Sequence, residues 1–119
     1  MVTEQNIDEV LAEAHRQGMA ALQAANPQPM VVTDGQHRWT VPGGPCGFAW
    51  VNIRGVRSNS RVGRRLTEQG FQKSYSQPGL QYWVHEGNQS MELKEAYADA
   101  FAKVLKSQGL DASVGSRMD

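Results

Sequence analysis

The sequence predicts an α+β fold: a four-stranded antiparallel sheet with two helices on one face, preceded by an amphipathic helix and a short β-hairpin. Three observations carry this. Apolar residues recur at helical spacing in two long segments near the ends of the chain, 6–25 and 90–107. Alternating or β-branched runs bounded by Gly, Pro, Asn and Ser occupy 46–53 and 80–85. Between 46 and 116 the elements follow the order β-α-β-β-α-β, which is that of the ferredoxin-like split βαβ arrangement. The 119 residues suit a single domain around one core.

The first element spans 6–25, where Ile7, Val10, Leu11, Ala14, Gly18, Met19 and Leu22 mark one face, with Asn6 as N-cap and Glu9 at the third helical position. "NPQPM" ends it, because a residue before proline disfavours helix. "VVTDGQHRWTV" then reads as a hairpin over 29–41 turning at Asp34-Gly35, and Pro42 to Pro45 as a further turn. The core follows: strand Cys46 to Ile53, helix Ser58 to Gln69, strand Phe71 to Tyr75, a turn at Gln77-Pro78-Gly79, strand Leu80 to His85, helix Ser90 to Ser107, and strand Asp111 to Ser116. The middle helix is the weakest, since Gly63 lies inside it and only Val62 and Leu66 are clearly apolar. The last helix is the strongest. Met91, Leu93, Tyr97, Ala98, Phe101, Val104 and Leu105 form a broad apolar face, Ser90 is its natural N-cap and Gly109 its stop.

Composition narrows the function classes. Lys+Arg and Asp+Glu are twelve each, so the whole molecule lacks the field of a protein that coats nucleic acid indiscriminately. A single cysteine supplies no disulfide framework, which makes a reducing cytoplasm the expected compartment. The acidic start "MVTEQNIDEV" is unlike a signal peptide, and no apolar run approaches the ~20 residues that span a bilayer.

The segments "CGFAWV", "YWV", "NQSMELKEAYADAFAKVL" and "SRMD" resemble a group of small proteins encoded in tailed phages and prophages, with the weakest likeness around Arg54 to Arg65. The resemblance implies a phage accessory origin, and with it a host cytoplasm. It carries no catalytic residue onto this chain and supplies no fold.

The chemistry is therefore read from the residues. Arg54, Arg57, Arg61, Arg64 and Arg65 bracket a helix start at Ser58-Asn59-Ser60, where backbone N–H groups and the helix dipole favour an anion such as phosphate. The alternative is a solvated face pairing with Glu68, Glu92 or Glu95. A P-loop is excluded because no G-x-x-x-x-G-K-[ST] is present. At the opposite edge of the expected sheet, Gln89 and Ser90 open the last helix beside Lys94 and the C-terminal Arg117, a second anion-binding combination. The alternative there is internal: Asp119 or the terminal carboxylate caps the helix and Arg117 pairs with Glu86.

Period-two alternation puts Phe48, Trp50 and Asn52 on one side of their strand and Ala49, Val51 and Ile53 on the other. The helices are expected over the smaller set. Phe48, Trp50 and Trp83 then line a face buried under the N-terminal helix or a second subunit, or one that stacks bases, as "CGFAWVNI" partly echoes the RNA-recognition signature. Cys46 with His37 or His85 is a weak nucleophile pair, since a lone cysteine opening a strand is usually a small buried hydrophobe. His15, His37 and His85 lack the close spacing of zinc ligands, and Asp8, Glu9 and Glu13 fall on the wet face of the first helix. No metal or cofactor is expected. The combined expectation is a non-enzymatic, homo-oligomeric phage accessory protein that binds a small phosphorylated ligand, such as a host nucleotide signal, through Arg54, Arg57, Ser58, Ser60, Arg61, Gln89, Ser90, Lys94 and Arg117. The alternatives are a module that inhibits a host protein and a single-stranded nucleic-acid binder.

Overall fold

A helix cap, a glycine and a register decide where each element of the core begins and ends. The computed structural model describes residues 2–25, 30–33, 35–41, 44–74 and 77–119. Their order is α1 (Ile7–Ala24), β1 (Met30–Thr33), β2 (Arg38–Val41), β3 (Gly47–Arg54), α2 (Arg61–Glu68), β4 (Gln72–Lys73), β5 (Leu80–Trp83), α3 (Met91–Ser107) and β6 (Asp111–Met118). The fold is α+β, with three helices and a four-stranded antiparallel sheet in the order β4-β5-β3-β6. β1 and β2 pair antiparallel as a separate two-stranded sheet. The expected proline stop at 26–29, the turn residue Asp34, Pro42 and Gly43 of the second turn, and Tyr75 at the end of the expected strand from Phe71 lie outside the described residues.

Several boundaries differ from expectation, each for a local reason. β3 starts at Gly47, because Cys46 makes only an isolated bridge to Ser90. α2 starts at Arg61 instead of Ser58. Ser60 is the N-cap: its Oγ accepts from Gly63 N at 3.0 Å and donates to Arg57 O at 2.6 Å, closing Ser58 and Asn59 into a turn. A Cβ on Gly63 would sit 1.9 Å from Arg57 O, so the glycine that weakens the helix also lets the chain at 57 close onto it. β4 shrinks to two residues and β5 ends at Trp83, while β6 runs past Ser116 to Met118 because all eight residues of β3 find partners on it. Asn6 makes no side-chain cap to α1; its Oδ1 accepts from Thr3 N at 2.7 Å. Ser90 does cap α3, accepting from Leu93 N at 3.3 Å.

The layers follow from the alternation of β3. Ala49, Val51 and Ile53 are fully buried toward the helices, together with Leu66, Phe71, Leu80, Ala112 and the α3 residues Tyr97, Ala98, Phe101, Ala102 and Leu105. Full burial of such side chains contributes roughly 1.5–3 kcal/mol each for the larger ones. α1 lays Ile7, Val10, Leu11, Ala14 and Gly18 against α3, inside the helical layer. It does not cover the aromatic face of the sheet, as one expectation had it. Its apolar stripe fits α3 closely: a Cβ at Gly18 would meet the Tyr97 ring at 2.7 Å, so only glycine lets the helices approach this far.

Candidate functional site

The register places the open side of the sheet. Phe48 faces Arg117, Trp50 faces both Gly115 and Trp83, Asn52 faces Ser113 and Gln81, and Arg54 faces Asp111. Because paired residues share a face, these side chains lie opposite the buried Ala49-Val51-Ile53 set. Trp50 and Trp83 pack with centroids 4.9 Å apart, and Phe48 meets Trp83 edge-on at 5.9 Å. Gly115 makes room for this cluster, since any Cβ there would lie 2.4 Å from the Trp50 indole. Trp83 is 37% exposed and Phe48 and Trp50 are half-buried, with no described helix above them.

Cations gather at the Phe48 end. The Arg117 guanidinium carbon lies 5.3 Å and the Lys94 amine 5.5 Å from the Phe48 ring centroid, both within cation–π range. Lys94 is itself buried and donates to Gly47 O at 3.2 Å, so it fixes the start of β3 and adds positive charge beneath the ring. The floor beside Trp50 is polar. Asn52 is 1% exposed; its Nδ2 donates to Pro78 O at 3.3 Å and its Oδ1 has no hydrogen-bond partner among the described residues. Gln81 accepts from Trp83 Nε1 at 2.9 Å, which holds that indole over the sheet.

The nine residues singled out from the sequence fall into two groups at opposite ends of the sheet. Arg57 and Ser58, with Asn59, Lys73, Ser74 and Pro78, line an open cleft of about 410 Å³ between the β3–α2 connection and the turn before β5. Ser60 is occupied as the α2 cap. Arg61 is drawn toward the N-terminal segment, 3.8 Å from Glu4, and Arg54 is exposed at the end of β3. Arg65 pairs with Asp8 at 3.7 Å and Glu68 at 3.6 Å. At the other end Gln89, Ser90, Lys94 and Arg117 do come together around Gly47 and Phe48. The start of α3 is held internally: Met91 N donates to Pro45 O, Gly47 N to Gln89 O, and Leu93 N to the Ser90 hydroxyl. Asp119 N donates to Cys46 O, while Arg117 lies over Phe48 and Glu86 faces Tyr82. The Cys46 thiol faces Gln89 Oε1 at 3.7 Å, and His85 packs edge-on against Tyr82.

A second constellation was missed in the sequence. On the helical side of the sheet, Leu11, Ala12, Phe71, Tyr82, Tyr97 and Phe101 wall a half-enclosed cleft of about 420 Å³, with Asp8, His15 and Gln69 at its margin. His15 Nδ1 is 2.6 Å from the Tyr97 hydroxyl and 3.9 Å from Glu86 Oε2, and the Tyr82 hydroxyl lies 3.3 Å from both Glu86 oxygens. Burial first, and the Glu86 charge second, push the Tyr82 phenol up to about 12; the same causes raise Tyr97 further. Both phenols therefore stay neutral, Tyr82 donating to Glu86 and Tyr97 in hydrogen-bond contact with His15. The available signal was Tyr97 itself, for a buried tyrosine hydroxyl needs a partner and His15 borders the stripe that packs on it.

Among the described residues, no helix is long and apolar enough to cross a membrane, and no group of three or more His, Cys, Asp or Glu is placed to hold a metal ion. Comparison with protein-family models, with curated proteins and with solved structures finds no match for this chain.

Proposed function

We propose that residues 46–118 form a ferredoxin-like module that binds, without catalysis, a ligand combining an aromatic base with phosphate, as a nucleotide or a short single strand does. The β4-β5-β3-β6 order, with β3 and β4 flanking the antiparallel β5, supports the fold reading. The observation that carries the function is the cluster of Phe48, Trp50 and Trp83, over which no described helix lies, with the Arg117 guanidinium at its end. Stacking of a base on an aromatic side chain contributes ~1–3 kcal/mol, and an adjacent guanidinium suits phosphate. The Arg57 cleft offers cations, and among the described residues no aromatic ring lines it, so those residues match half of such a ligand.

In this reading the chain is a phage accessory protein that sequesters a nucleotide or strand in the host cytoplasm. Titration of tryptophan fluorescence with a mononucleotide panel and with a fluorescein-labelled deoxythymidine decamer tests it. Saturable quenching by one of the two probe types names the source of the shared chemistry. Trp83→Ala and Arg117→Gln should each weaken binding about tenfold or more, with Arg57→Gln close to the parent. Loss on Arg57→Gln alone returns the site to the β3–α2 edge. A doubled solution mass that Trp83→Ala halves, with no response to either probe, assigns the face to a second copy and refutes the proposal.

A further inference from the structure

The two edges of the four-stranded sheet are built differently. β4 closes one edge with only Gln72 and Lys73, and short, charged edges of this kind resist pairing with another chain. β6 closes the other with eight residues, no proline, and a register on β3 that runs without a bulge from Asp111 to Met118. Among the described residues no strand lies on its outer side, and Ser116, Arg117 and Met118 are exposed. The hydrogen bonds fix which backbone groups face outward. Val84 N donates to Ala49 O and Asp119 N to Cys46 O, so odd-numbered residues of β3 bond toward β5 and even-numbered ones toward β6. On β6 the odd-numbered residues therefore turn their backbone to β3, and Ala112, Val114, Ser116 and Met118 turn theirs away. Ala112 N bonds Leu110 O, which leaves its C=O, and both backbone groups of Val114 and Ser116, as a template for another strand.

We propose that β6 pairs antiparallel with β6 of a second copy about a two-fold axis at Val114, joining two four-stranded sheets into one continuous sheet. Two identical strands pair only if outward residues meet outward residues, so the axis passes through a residue and not between two. With the axis at Val114, the two Val114 residues exchange N–H and C=O, and Ser116 N–H reaches Ala112 O of the second copy. Charge selects this register. It sets Asp111 opposite Arg117 of the second copy at both ends, in the non-hydrogen-bonded positions where cross-strand side chains lie closest. An axis at Gly115 sets Asp111 opposite Asp119 instead, a like-charge pair at both ends. Axes at Ser113 or Ser116 set Asp111 or Arg117 opposite Gly115. Among the described residues neither Asp111 nor Arg117 has an ion pair of its own within 4 Å, although Arg54 lies opposite Asp111 in register. The pairing does not depend on the ligand reading: helices of both copies lie on one side of the joined sheet and both Phe48-Trp50-Trp83 clusters on the other.

Sedimentation of the parent over a concentration series should show a reversible dimer, retained in Trp83→Ala because the aromatic clusters take no part in it. Asp111→Lys and Arg117→Glu each turn two attractive pairs into two repulsive ones and should weaken the dimer about tenfold or more. The double variant Asp111→Lys/Arg117→Glu should return it close to the parent. Within one extended strand these two positions lie roughly 20 Å apart, so that rescue requires a second chain. Ser116→Pro is the second test: the Ser116 N–H points away from β3, so proline spares the ladder to β3 and, with circular dichroism unchanged, should weaken the dimer in the same way. A single-chain mass for the parent throughout the series overturns the proposal. So does an undiminished dimer in either charge reversal or in Ser116→Pro, a double variant no tighter than the single ones, or a dimer lost in Trp83→Ala.

Discussion

Gly18→Ala should destabilise the protein, against the rule for helix interiors. In a solvent-facing helix this change is worth about 1 kcal/mol in favour of alanine. Here the new Cβ would lie 2.7 Å from two carbons of the Tyr97 ring and 3.1 Å from a third, nearly 1 Å inside ordinary carbon contact. Tyr97 is 1% exposed and is flanked by Phe101 at 5.7 Å, so the ring has little room to yield. Either α1 lifts from α3 or Tyr97 turns and loses its 2.6 Å contact with His15. Overpacking of this kind costs roughly 1–3 kcal/mol, which leaves a net loss of about 1 kcal/mol after the helical gain. At this chain length that is a fall of about 4 °C in melting temperature. Urea denaturation gives the free energy directly, and a Tyr97→Leu background should restore the stabilising sign of the glycine change. A Gly18→Ala protein about 1 kcal/mol more stable than its parent would refute the close α1–α3 packing.

Phe101→Ala should cost ~3–5 kcal/mol in the same assay, because the ring is 5% exposed and packs among Phe71, Tyr82 and Tyr97; a loss under ~1 kcal/mol would remove it from the core. Ser60→Ala and Ser90→Ala should each cost about 1 kcal/mol as lost caps, with Ser60 the larger because its hydroxyl also holds Arg57 O; the reverse order would contradict the turn at 57–60. Tyr82 and Tyr97 bind their protons more tightly when folded, so their stabilising contribution is full below the ordinary phenol range and fades as pH climbs toward 12. Absorbance at 295 nm with parallel circular dichroism should show these phenolates forming late, accompanied by unfolding. More than one tyrosine ionising near pH ~10 with the fold intact would defeat that assignment.

The helix and strand periods were legible in the chain itself. The apolar stripe of α1, the Ser90 cap and broad face of α3, and the alternation that sends Ala49, Val51 and Ile53 inward all follow from neighbours a few residues apart. The side of the sheet that carries Phe48, Trp50 and Trp83 could be named for the same reason. Tertiary structure decided what covers each surface. Nothing local says that α1 prefers α3 to the aromatic face; that depends on Gly18 meeting the Tyr97 ring across 79 positions of chain. Lys94 reads as an exposed cation one turn into a helix, yet its amine is buried against Gly47 O because β3 begins beside it. The arginines that look like one cluster in the sequence separate in the fold, Arg61 toward Glu4, Arg65 toward Asp8, and Arg57 toward the turn before β5. His15, Tyr82, Glu86 and Tyr97 show the converse: they lie on three segments, and only the packing of α1, β5 and α3 brings one imidazole and two phenols around one carboxylate. Periodicity encodes which way a residue faces, whereas a site depends on which other segment it faces, and that is set by the shape of the packed core.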